Sequence, residues 1–336
     1  MKEINKTSFV MLLVSACLTS APVVGAQTVN PKPTPCAQTI DVCGCTLTQP
    51  GTIYTVGADL DADHGLTKAG NCLEMAADHD ILDLVGHAII GNGSGIGILI
   101  QSSAHDSTVQ GTDTSEVGQA VVNHWGTGIE VDANNVVIEL FNGIGAPSMF
   151  DTGNTGDGIL LKSASSVTVD NFHASSNGGS GVDVQGGSNN RFMNCDSLTN
   201  TGNGMVFASS NGNTISNCTI TGNTGYGIWL NTSDQNQIFT SAVAGNKKIG
   251  ILVGCQKEGK CLGSKGSNLN HFSSTGAKGN SGAGVTVEQG SSNNQITSMT
   301  ASGNGGGNDL IDNNPNCDGN LWFNNIFGSA SQSCIH

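Results

Sequence analysis

Asn154-Thr-Gly-Asp-Gly-Ile-Leu-Leu161 is the first of five segments that repeat one pattern along the middle of the chain. The other four are Asn177-Gly-Gly-Ser-Gly-Val-Asp-Val184, Asn200-Thr-Gly-Asn-Gly-Met-Val-Phe207, Asn223-Thr-Gly-Tyr-Gly-Ile-Trp-Leu230 and Asn246-Lys-Lys-Ile-Gly-Ile-Leu-Val253. Their second glycines recur at 23-residue intervals, as do the asparagines that begin them: Gly158, Gly181, Gly204, Gly227 and Gly250. A fixed period of this length is typical of a solenoid, in which each repeat buries its apolar face only against its neighbours.

The residues that follow each second glycine alternate as in a β-strand. Alternate apolar side chains point inward in this interpretation, namely Ile159/Leu161, Val182/Val184, Met205/Phe207, Ile228/Leu230 and Ile251/Val253. No 11-residue window shows helical spacing, and a second short alternation follows later in each period. The stripe of a leucine-rich repeat is absent. The pattern therefore predicts an all-β fold, a parallel β-helix of about ten coils.

The period also predicts which side chains become neighbours. Each coil advances by about 4.8 Å, the spacing between strands, so residues 23 apart stack along the axis. Asparagines then form two columns: Asn154, Asn177, Asn200, Asn223 and Asn246 in one, and Asn171, Asn194 and Asn217 in the other. Stacked amides can hydrogen-bond along the axis. Alternatively, these asparagines are present because they tolerate left-handed turns.

Outside the regular coils, the sequence divides into a few further parts. Residues 1–26 resemble an export signal, and 27–35 form a Pro/Thr-rich linker. An irregular N-terminal cap is predicted over 36–90, the β-helix over 91–308 and a closing cap over 309–336. The interval from Gly250 to Gly284 is longer than the regular one, which indicates an insertion in that coil.

The N-terminus leaves two alternatives for localisation. Cleavage after Ala26 predicts a secreted or periplasmic protein. Val14-Ser-Ala-Cys17 instead resembles a lipobox, which predicts a lipoprotein anchored through Cys17. No other apolar run approaches the ~20 residues of a membrane span.

Composition argues against some partners. The formal net charge is −14, with only 12 Lys and Arg residues. Nucleic acids and anionic membrane surfaces call for basic patches, so neither is an expected partner. No cofactor is expected to be required.

Ten cysteines remain when Cys17 is set aside, and an even number predicts disulfides in an exported protein. Cys255 is expected to pair with Cys261, and Cys317 with Cys334. The N-terminal set has three possible connectivities: Cys36, Cys43, Cys45 and Cys72. Cys195 and Cys218, one period apart, are expected about 5 Å apart at Cα, either bonded or as buried thiols. The Cys43-Gly-Cys45 spacing is too tight for the usual zinc motifs.

The Gly-x-Gly-Ile-x-Val strand, with Asn and Ile recurring behind it, resembles the right-handed parallel β-helix repeat. That repeat occurs in the pectate lyase-like superfamily and in NosD-like proteins. A bacterial group of exported β-helix proteins is especially similar, through Cys43-Gly-Cys45, Leu84-Val-Gly-His87, Asp309-Leu-Ile-Asp312 and the two terminal cysteines. The resemblance implies the fold. It implies no single activity, because the fold hosts lyases, hydrolases, epimerases, adhesins and inert spikes.

In polysaccharide-cleaving relatives the cleft runs along the outer face of the first long strand. Here the outward row of that strand is Leu99, Glu130, Leu160, Asp183, Val206, Trp229, Leu252 and Thr286. The arginine base of pectate lyase-like enzymes has no counterpart, because the one arginine, Arg191, falls on a second strand. The four motif segments of polygalacturonase-type hydrolases are also missing.

An acidic group lies on or beside the outward row: Glu130, Asp132, Asp157 and Asp183. Glu130 and Asp183 are two coils apart, which suits an inverting acid/base pair separated by ~6.5–9.5 Å. Asp132, Asp157 and Asp183 are also candidate Ca²⁺ ligands, with Lys162 as a base for β-elimination. The alternative is solvated charge on an exposed face.

An aromatic pair, Tyr226 and Trp229, lies on one coil of the same face. Exposed rings there predict a platform on which sugars stack, with Asn203 and Gln185 as polar neighbours. The alternative is packing under the Cys255–Cys261 loop. The leading hypothesis is recognition of an extracellular or cell-wall polysaccharide. The rivals are a polysaccharide lyase or glycoside hydrolase that uses the acidic group, and a structural spike without activity.

Overall fold

The structure is a computed structural model that describes residues 34–63, 70–112, 120–141, 149–255, 261 and 266–336. The predicted signal, the alternative anchor at Cys17 and nearly all of the linker lie outside these residues. So do most residues of the insertion after Gly250. In the described part of the chain, no helix is long and apolar enough to cross a membrane.

Three parallel sheets run along the solenoid, and each coil gives them one strand in turn. The first sheet consists of Cys45–Leu47, Leu73–Met75, Ile96–Ile100, Thr127–Val131, Ile159–Lys162, Val182–Gln185, Met205–Ala208, Ile228–Asn231, Ile251–Gly254, Val285–Val287 and Leu310–Asp312. The second consists of Thr39–Ile40, Ile53–Val56, Ile81–Asp83, Thr108–Thr112, Val137–Phe141, Thr168–Asp170, Arg191–Met193, Thr214–Ser216, Gln237–Phe239, His271–Ser273, Gln295–Thr297 and Leu321–Phe323.

The third sheet consists of Leu60–Asp61, Ala88–Ile90, Val121–Asn123, Met149–Thr152, Phe172–Ser175, Asp196–Leu198, Thr219–Thr221, Ala242–Ala244, Gly276–Lys278, Thr300–Ser302 and Ile326–Phe327. A short 3-10 helix spans Pro315–Cys317. The right-handed parallel β-helix is confirmed. Strands between residues 39 and 90 already pair in register with later coils, so the β-helix begins earlier than residue 91.

The register follows the 23-residue period. Ile159 pairs with Val182, Val182 with Met205 and Met205 with Ile228. These side chains fill a narrow core in which every coil packs on the one before it. The largest fully buried side chains include Trp125, Trp322, Phe172, Phe192, Phe207 and Phe272. Apolar burial is therefore spread along the axis, as expected for a solenoid.

The first predicted asparagine column forms a buried hydrogen-bonded amide ladder. Asn200 donates from Nδ2 and from its backbone N–H to Oδ1 of Asn223, at 3.0 and 2.9 Å. Asn223 donates in the same way to Asn246, and the ladder continues through Asn280 to Asn304. The second glycine of each segment leaves room for it, because a Cβ on Gly181 would lie 2.8 Å from the Asn200 amide nitrogen.

In the second predicted column Asn171 is half-buried and Asn194 and Asn217 are exposed, and the last two combine both interpretations. Asn217 donates to Asn194 at 2.7 Å, and both have positive φ. A further buried ladder, which the sequence interpretation missed, lies beside the second sheet. It consists of Asn190, Asn213, Asn236, Asn270, Asn294 and Asn320.

Both buried ladders end on carboxylates of Asp309-Leu-Ile-Asp312. Asn304 donates to Asp309 Oδ1 at 2.8 Å, and Asn320 donates to Asp312 Oδ2 at 3.1 Å. An ionised carboxylate accepts hydrogen bonds but donates none. It therefore satisfies the N–H groups of the last amide without needing an acceptor in a further coil. Burial raises the pKa of Asp309, but hydrogen bonds from Asn304, Gly328 and Ser329 outweigh it, and the pKa is lowered overall.

The first ladder starts beside a different carboxyl. Asp151 is 1% exposed and faces the core between Val122 and Ala174 of the adjacent coils. Asn154 donates a short hydrogen bond to its Oδ1, while Oδ2 has no partner among the described residues. Burial raises the pKa of Asp151 well above its ordinary value, the Asn154 bond opposes this, and the charge of Asp157 adds to it.

Five disulfides hold the ends and the middle of the solenoid. The predicted pairs Cys255–Cys261 and Cys317–Cys334 are confirmed. The N-terminal set pairs as Cys36–Cys45 and Cys43–Cys72. Cys195 and Cys218 are bonded, with their Cα atoms 4.4 Å apart, which decides between the two alternatives for these neighbours in adjacent coils.

Replacing a ladder amide is expected to destabilise the fold. Asn200→Ala leaves the Asn177 backbone N–H without its acceptor in the core, at a cost of about 1–3 kcal/mol in the free energy of unfolding. Asn211→Ala is the matched control, because it removes a similar bond between coils, from the Asp234 N–H, at an exposed position where water can replace it. Chemical denaturation compares the two. Equal losses would contradict a special role for the buried ladder.

The buried carboxyl of Asp151 predicts a pH dependence. Its pKa in the folded state is raised well above the ordinary value of about 3.9, so at pH values between the two it ionises only in the unfolded state. This lowers the free energy of unfolding as pH rises, by at most about 1.4 kcal/mol per pH unit. Asp151→Ser should remove this loss, because a serine hydroxyl does not ionise in this pH range. Serine also suits the position, since Ser197 lies in the same column, accepts a hydrogen bond from Asn200 and donates one to Gly204.

The test is chemical denaturation of both proteins at several pH values. The stability difference should grow in favour of Asp151→Ser from pH 4 to pH 7. A difference that does not change with pH would contradict a neutral Asp151 in the folded protein.

Candidate functional site

The predicted outward row of the first sheet is confirmed by the strand register. Leu99 pairs with Glu130, and the row continues through Leu160, Asp183, Val206, Trp229 and Leu252 to Thr286. Leu99, Asp183 and Trp229 are partly exposed, whereas the other members of the row are at most 7% exposed. The predicted site residues lie on it or directly beside it, but they divide into separate groups.

Glu130 and Lys162 form an ion pair. Lys162 Nζ donates to Glu130 Oε1 at 2.6 Å, and Glu130 is only 7% exposed. Burial raises the pKa of the neighbouring Asp132, the Glu130 charge raises it further, and Lys162 opposes both. Lys162 Nζ thus already has a hydrogen-bond partner, and the Glu130 side chain is buried. The geometry therefore does not favour Lys162 as a base or Glu130 as an accessible acid.

Asp157 and Asp183 form a second acidic group, one coil further on. Asp157 Oδ1 accepts from the Ser180 N–H at 2.6 Å, and Asp183 Oδ2 accepts from Gln185 Nε2 at 2.9 Å. Burial raises the pKa of both carboxyls; hydrogen bonds oppose the shift, and the Asp157 charge adds to it at Asp183. Asp183 Oδ1 has no partner in the described part of the chain. These two are the more accessible candidates for proton transfer.

The predicted calcium ligands do not converge. One group of metal-ligating side chains in the described residues has three ligand atoms within 4.8 Å of one another. It consists of Cys255, Cys261 and Glu288. Asp132, Asp157 and Asp183 are not such a group, so a calcium ion there remains a prediction that the geometry does not favour. Cys255 and Cys261 are joined in a disulfide, which leaves no thiolates for a metal.

The aromatic pair is in contact, but it is less exposed than predicted. The ring centroids of Tyr226 and Trp229 lie 5.6 Å apart, with the planes tilted by 58°. Trp229 is partly exposed, whereas Tyr226 is only 5% exposed. Lys248 Nζ lies 4.7 Å from the Tyr226 ring centroid. Asn203 Oδ1 accepts from the Tyr226 N–H at 2.8 Å, so Asn203 positions this coil. Gln185 is exposed.

A cavity of about 470 Å³ opens beside Tyr226, on the C-terminal side of the aromatic pair. Leu252 and Thr286 of the outward row form part of its wall, and Lys247, Lys248 and Glu288 contribute charge. Thr286 is 5% exposed, and its hydroxyl has no partner among the described residues. Glu288 is 2% exposed, and its Oε2 accepts from the Cys255 N–H at 3.1 Å. The cavity thus combines aromatic, aliphatic and charged surfaces.

The residues of this cavity other than Tyr226 were missed as a site, although the sequence carries a signal for them. Six of the chain's 12 cationic residues fall between 247 and 278: Lys247, Lys248, Lys257, Lys260, Lys265 and Lys278. The same stretch contains one acidic residue, Glu258, in a chain with a net charge of −14. A local reversal of charge beside an outward row marks a candidate binding surface.

Comparison with known proteins gives the family. No curated protein sequence matches the chain. Among solved structures, the A-module of the Azotobacter vinelandii mannuronan C-5 epimerase AlgE4 is similar at 12% identity, with a TM-score of 0.53 and 86% of each chain covered. The Dettilon tailspike protein gp208 is similar at 15% identity and a TM-score of 0.54, over 79% of this chain and 58% of the tailspike.

These identities are low, so the likeness shows a shared fold alone. The family described as right handed beta helix region matches residues 90–261 and 157–327, which together cover most of the chain. The chain belongs to this right-handed β-helix family.

Proposed function

We propose that this protein binds a polysaccharide on the outer face of its first sheet, with one sugar unit in the cavity beside Tyr226. The observation that carries the proposal is the cavity itself. It joins an aromatic wall to lysines in an otherwise acidic chain, next to the partly exposed Trp229.

The shape and lining of the cavity suit a sugar. Its volume of about 470 Å³ lies within the range of ordinary ligand pockets. Sugar rings have an apolar face that packs on aromatic and aliphatic side chains, here Tyr226 and Leu252 in the cavity and Trp229 beside Tyr226. Their hydroxyls need polar partners, which Thr286 and Glu288 supply at the same place. Trp229 and Asp183 are partly exposed on the same row, so they offer contacts for further sugar units of a chain.

The charge of the cavity favours a ligand with an anionic group. Lys247 and Lys248 are exposed at its edge, and they belong to the lysine-rich stretch 247–278. An anionic ligand is repelled by most of a surface with a net charge of −14 and attracted by these two lysines. The lysines therefore direct such a ligand to this part of the face.

The similar structures are consistent with the proposal. The epimerase A-module is named for a polysaccharide, mannuronan, and shares the β-helix fold over 86% of this chain. At 12% identity this supports a polysaccharide ligand only as a general class. The five disulfides fit an extracellular or periplasmic protein, where such ligands occur.

A polysaccharide lyase or hydrolase is the second candidate function. It is favoured by Asp157 and Asp183, because a carboxyl whose pKa is raised by burial is suited to act as a general acid. These residues lie on the same outer face, N-terminal to Trp229. A structural spike is the outcome if no polysaccharide binds.

Binding is tested by tryptophan fluorescence during titration with neutral and acidic oligosaccharides. Trp125 and Trp322 are 0% and 1% exposed, so a change in emission reports on Trp229. Affinity for an acidic oligosaccharide should fall about fivefold or more in Lys247→Gln/Lys248→Gln, since two charges near the surface contribute on the order of 1 kcal/mol each. Lys278→Gln, on the third sheet, is the control and should bind as the wild type does.

Trp229→Ala should weaken binding of neutral and acidic oligosaccharides alike, by about tenfold, which corresponds to ~1.4 kcal/mol of lost ring contact. Calorimetry measures this, since the variant lacks the fluorescent reporter. Unchanged affinity in Trp229→Ala and in the double lysine variant would contradict the proposed site.

The enzyme candidate is tested on the same oligosaccharides. If Asp183 is a general acid, the wild type should release new reducing ends or unsaturated products, and Asp183→Asn should lose at least ~100-fold of that activity. Products from both proteins at equal rates would exclude Asp183 from the chemistry. Binding without any products would leave recognition as the function.

A further inference from the structure

The last coil of the solenoid exposes an apolar surface. Leu321 and Phe323 lie on the last strand of the second sheet and are 50% and 59% exposed. Ile326, on the last strand of the third sheet, is 70% exposed. Large apolar side chains grouped at one end of a protein indicate a contact with another molecule. We call these three residues the end patch.

The same strands have unpaired outer edges. Leu321–Phe323 and Ile326–Phe327 are terminal in their sheets, and no other strand of the described chain pairs with their outer sides. The C-terminal tail bridges to Leu310 of the first sheet through Ala330, and its His336 carbonyl accepts from Asn325 Nδ2 at 3.2 Å between the two strands, but it pairs with neither free edge. Natural proteins protect a free strand edge with charge, proline or a covering segment. Neither strand contains a charged residue or a proline.

The C-terminal end is also almost free of charge. Residues 289–336 contain no lysine, arginine or glutamate, and their three aspartates are Asp309, Asp312 and Asp318. Asp309 and Asp312 are 5% and 2% exposed and bind the ladder ends, so Asp318 is the one exposed acidic side chain in this stretch. The rest of the chain carries the large negative charge.

We propose that two copies of the chain associate through their end patches, about a twofold axis. The free edges then pair antiparallel, and Leu321, Phe323 and Ile326 of each copy are covered by the other. A twofold contact is self-complementary, because each copy offers the same edge and the same apolar residues. A second copy fits better than a charged partner, since this surface has almost no charge with which to recognise one.

Charge explains why association occurs at this end. Two copies, each with a net charge of −14, repel one another over most of their surfaces. The N-terminal end exposes Val42 and Ile53, at 58% and 53%, but also exposes Asp41, Asp59 and Asp63. Two N-terminal ends would bring these carboxylates together, whereas two C-terminal ends would not.

Sedimentation velocity of the full chain at concentrations from about 1 to 100 μM tests the proposal. The expected species at the upper end has twice the mass of the single chain. Phe323→Asp/Ile326→Asp should shift dissociation to at least 100-fold higher concentration, because it places charge in the apolar contact. Val42→Asp/Ile53→Asp, the same change at the opposite end, is the control and should dimerise as the wild type does. Circular dichroism and thermal unfolding of each variant confirm that it is folded.

Salt provides a second readout that does not depend on a variant. A contact without charge should persist at about 1 M NaCl, where the repulsion between the acidic chains is screened. A wild type that remains monomeric at every concentration and salt would overturn the proposal. A dimer that persists in Phe323→Asp/Ile326→Asp would also overturn it. Oligomers of more than two chains that both double variants disrupt would overturn it as well, because they indicate head-to-tail contacts.

Discussion

Buried side-chain amides that hydrogen-bond from coil to coil are the interaction on which this structure depends. A solenoid has no long-range packing to fix its register, since each coil contacts only its neighbours. In the first ladder, the backbone and side-chain N–H groups of Asn200 both donate to the side-chain oxygen Oδ1 of Asn223, and the next coil repeats the arrangement. A slip of one residue would leave buried donors and acceptors unpaired, which costs about 1–3 kcal/mol for each group. The amides therefore set the register, and apolar burial supplies the stability.

The fixed register aligns equivalent positions of successive repeats in rows along the outer face. Because the first-sheet strands pair without slippage from Leu99 to Thr286, substitutions at one position of the repeat appear as a row on the outer face. The aromatic pair, the cavity and the acidic groups are successive parts of that row. The interior changes little along the axis, so the chain varies its chemistry almost entirely on the outside. The terminal carboxylates Asp309 and Asp312 have the complementary role, because they end both ladders.

The sequence predicted what the period controls and missed what depends on side-chain surroundings. The strand rows, the first asparagine column and the contact of Cys195 with Cys218 follow from the regular spacing of the repeat. The burial of Tyr226 does not, because it depends on the side chains around the ring, among them Trp229 and Lys248. Glu130 and Asp183 share a row, but Lys162 neutralises only the first of them. Asp151 lies one regular period before Ala174 but 29 residues after Val122, so the repeat marks its inward position from one side only.

The central claim is that stacked coils bring Tyr226, Leu252 and Thr286 together into one sugar-binding surface. A crystal structure of the chain with a bound acidic oligosaccharide tests it most directly. We expect a sugar ring in the cavity, packed against the Tyr226–Trp229 pair, with its acidic group near Lys247 and Lys248. An oligosaccharide bound beside Glu130 and Asp183, or on the second or third sheet, would contradict it.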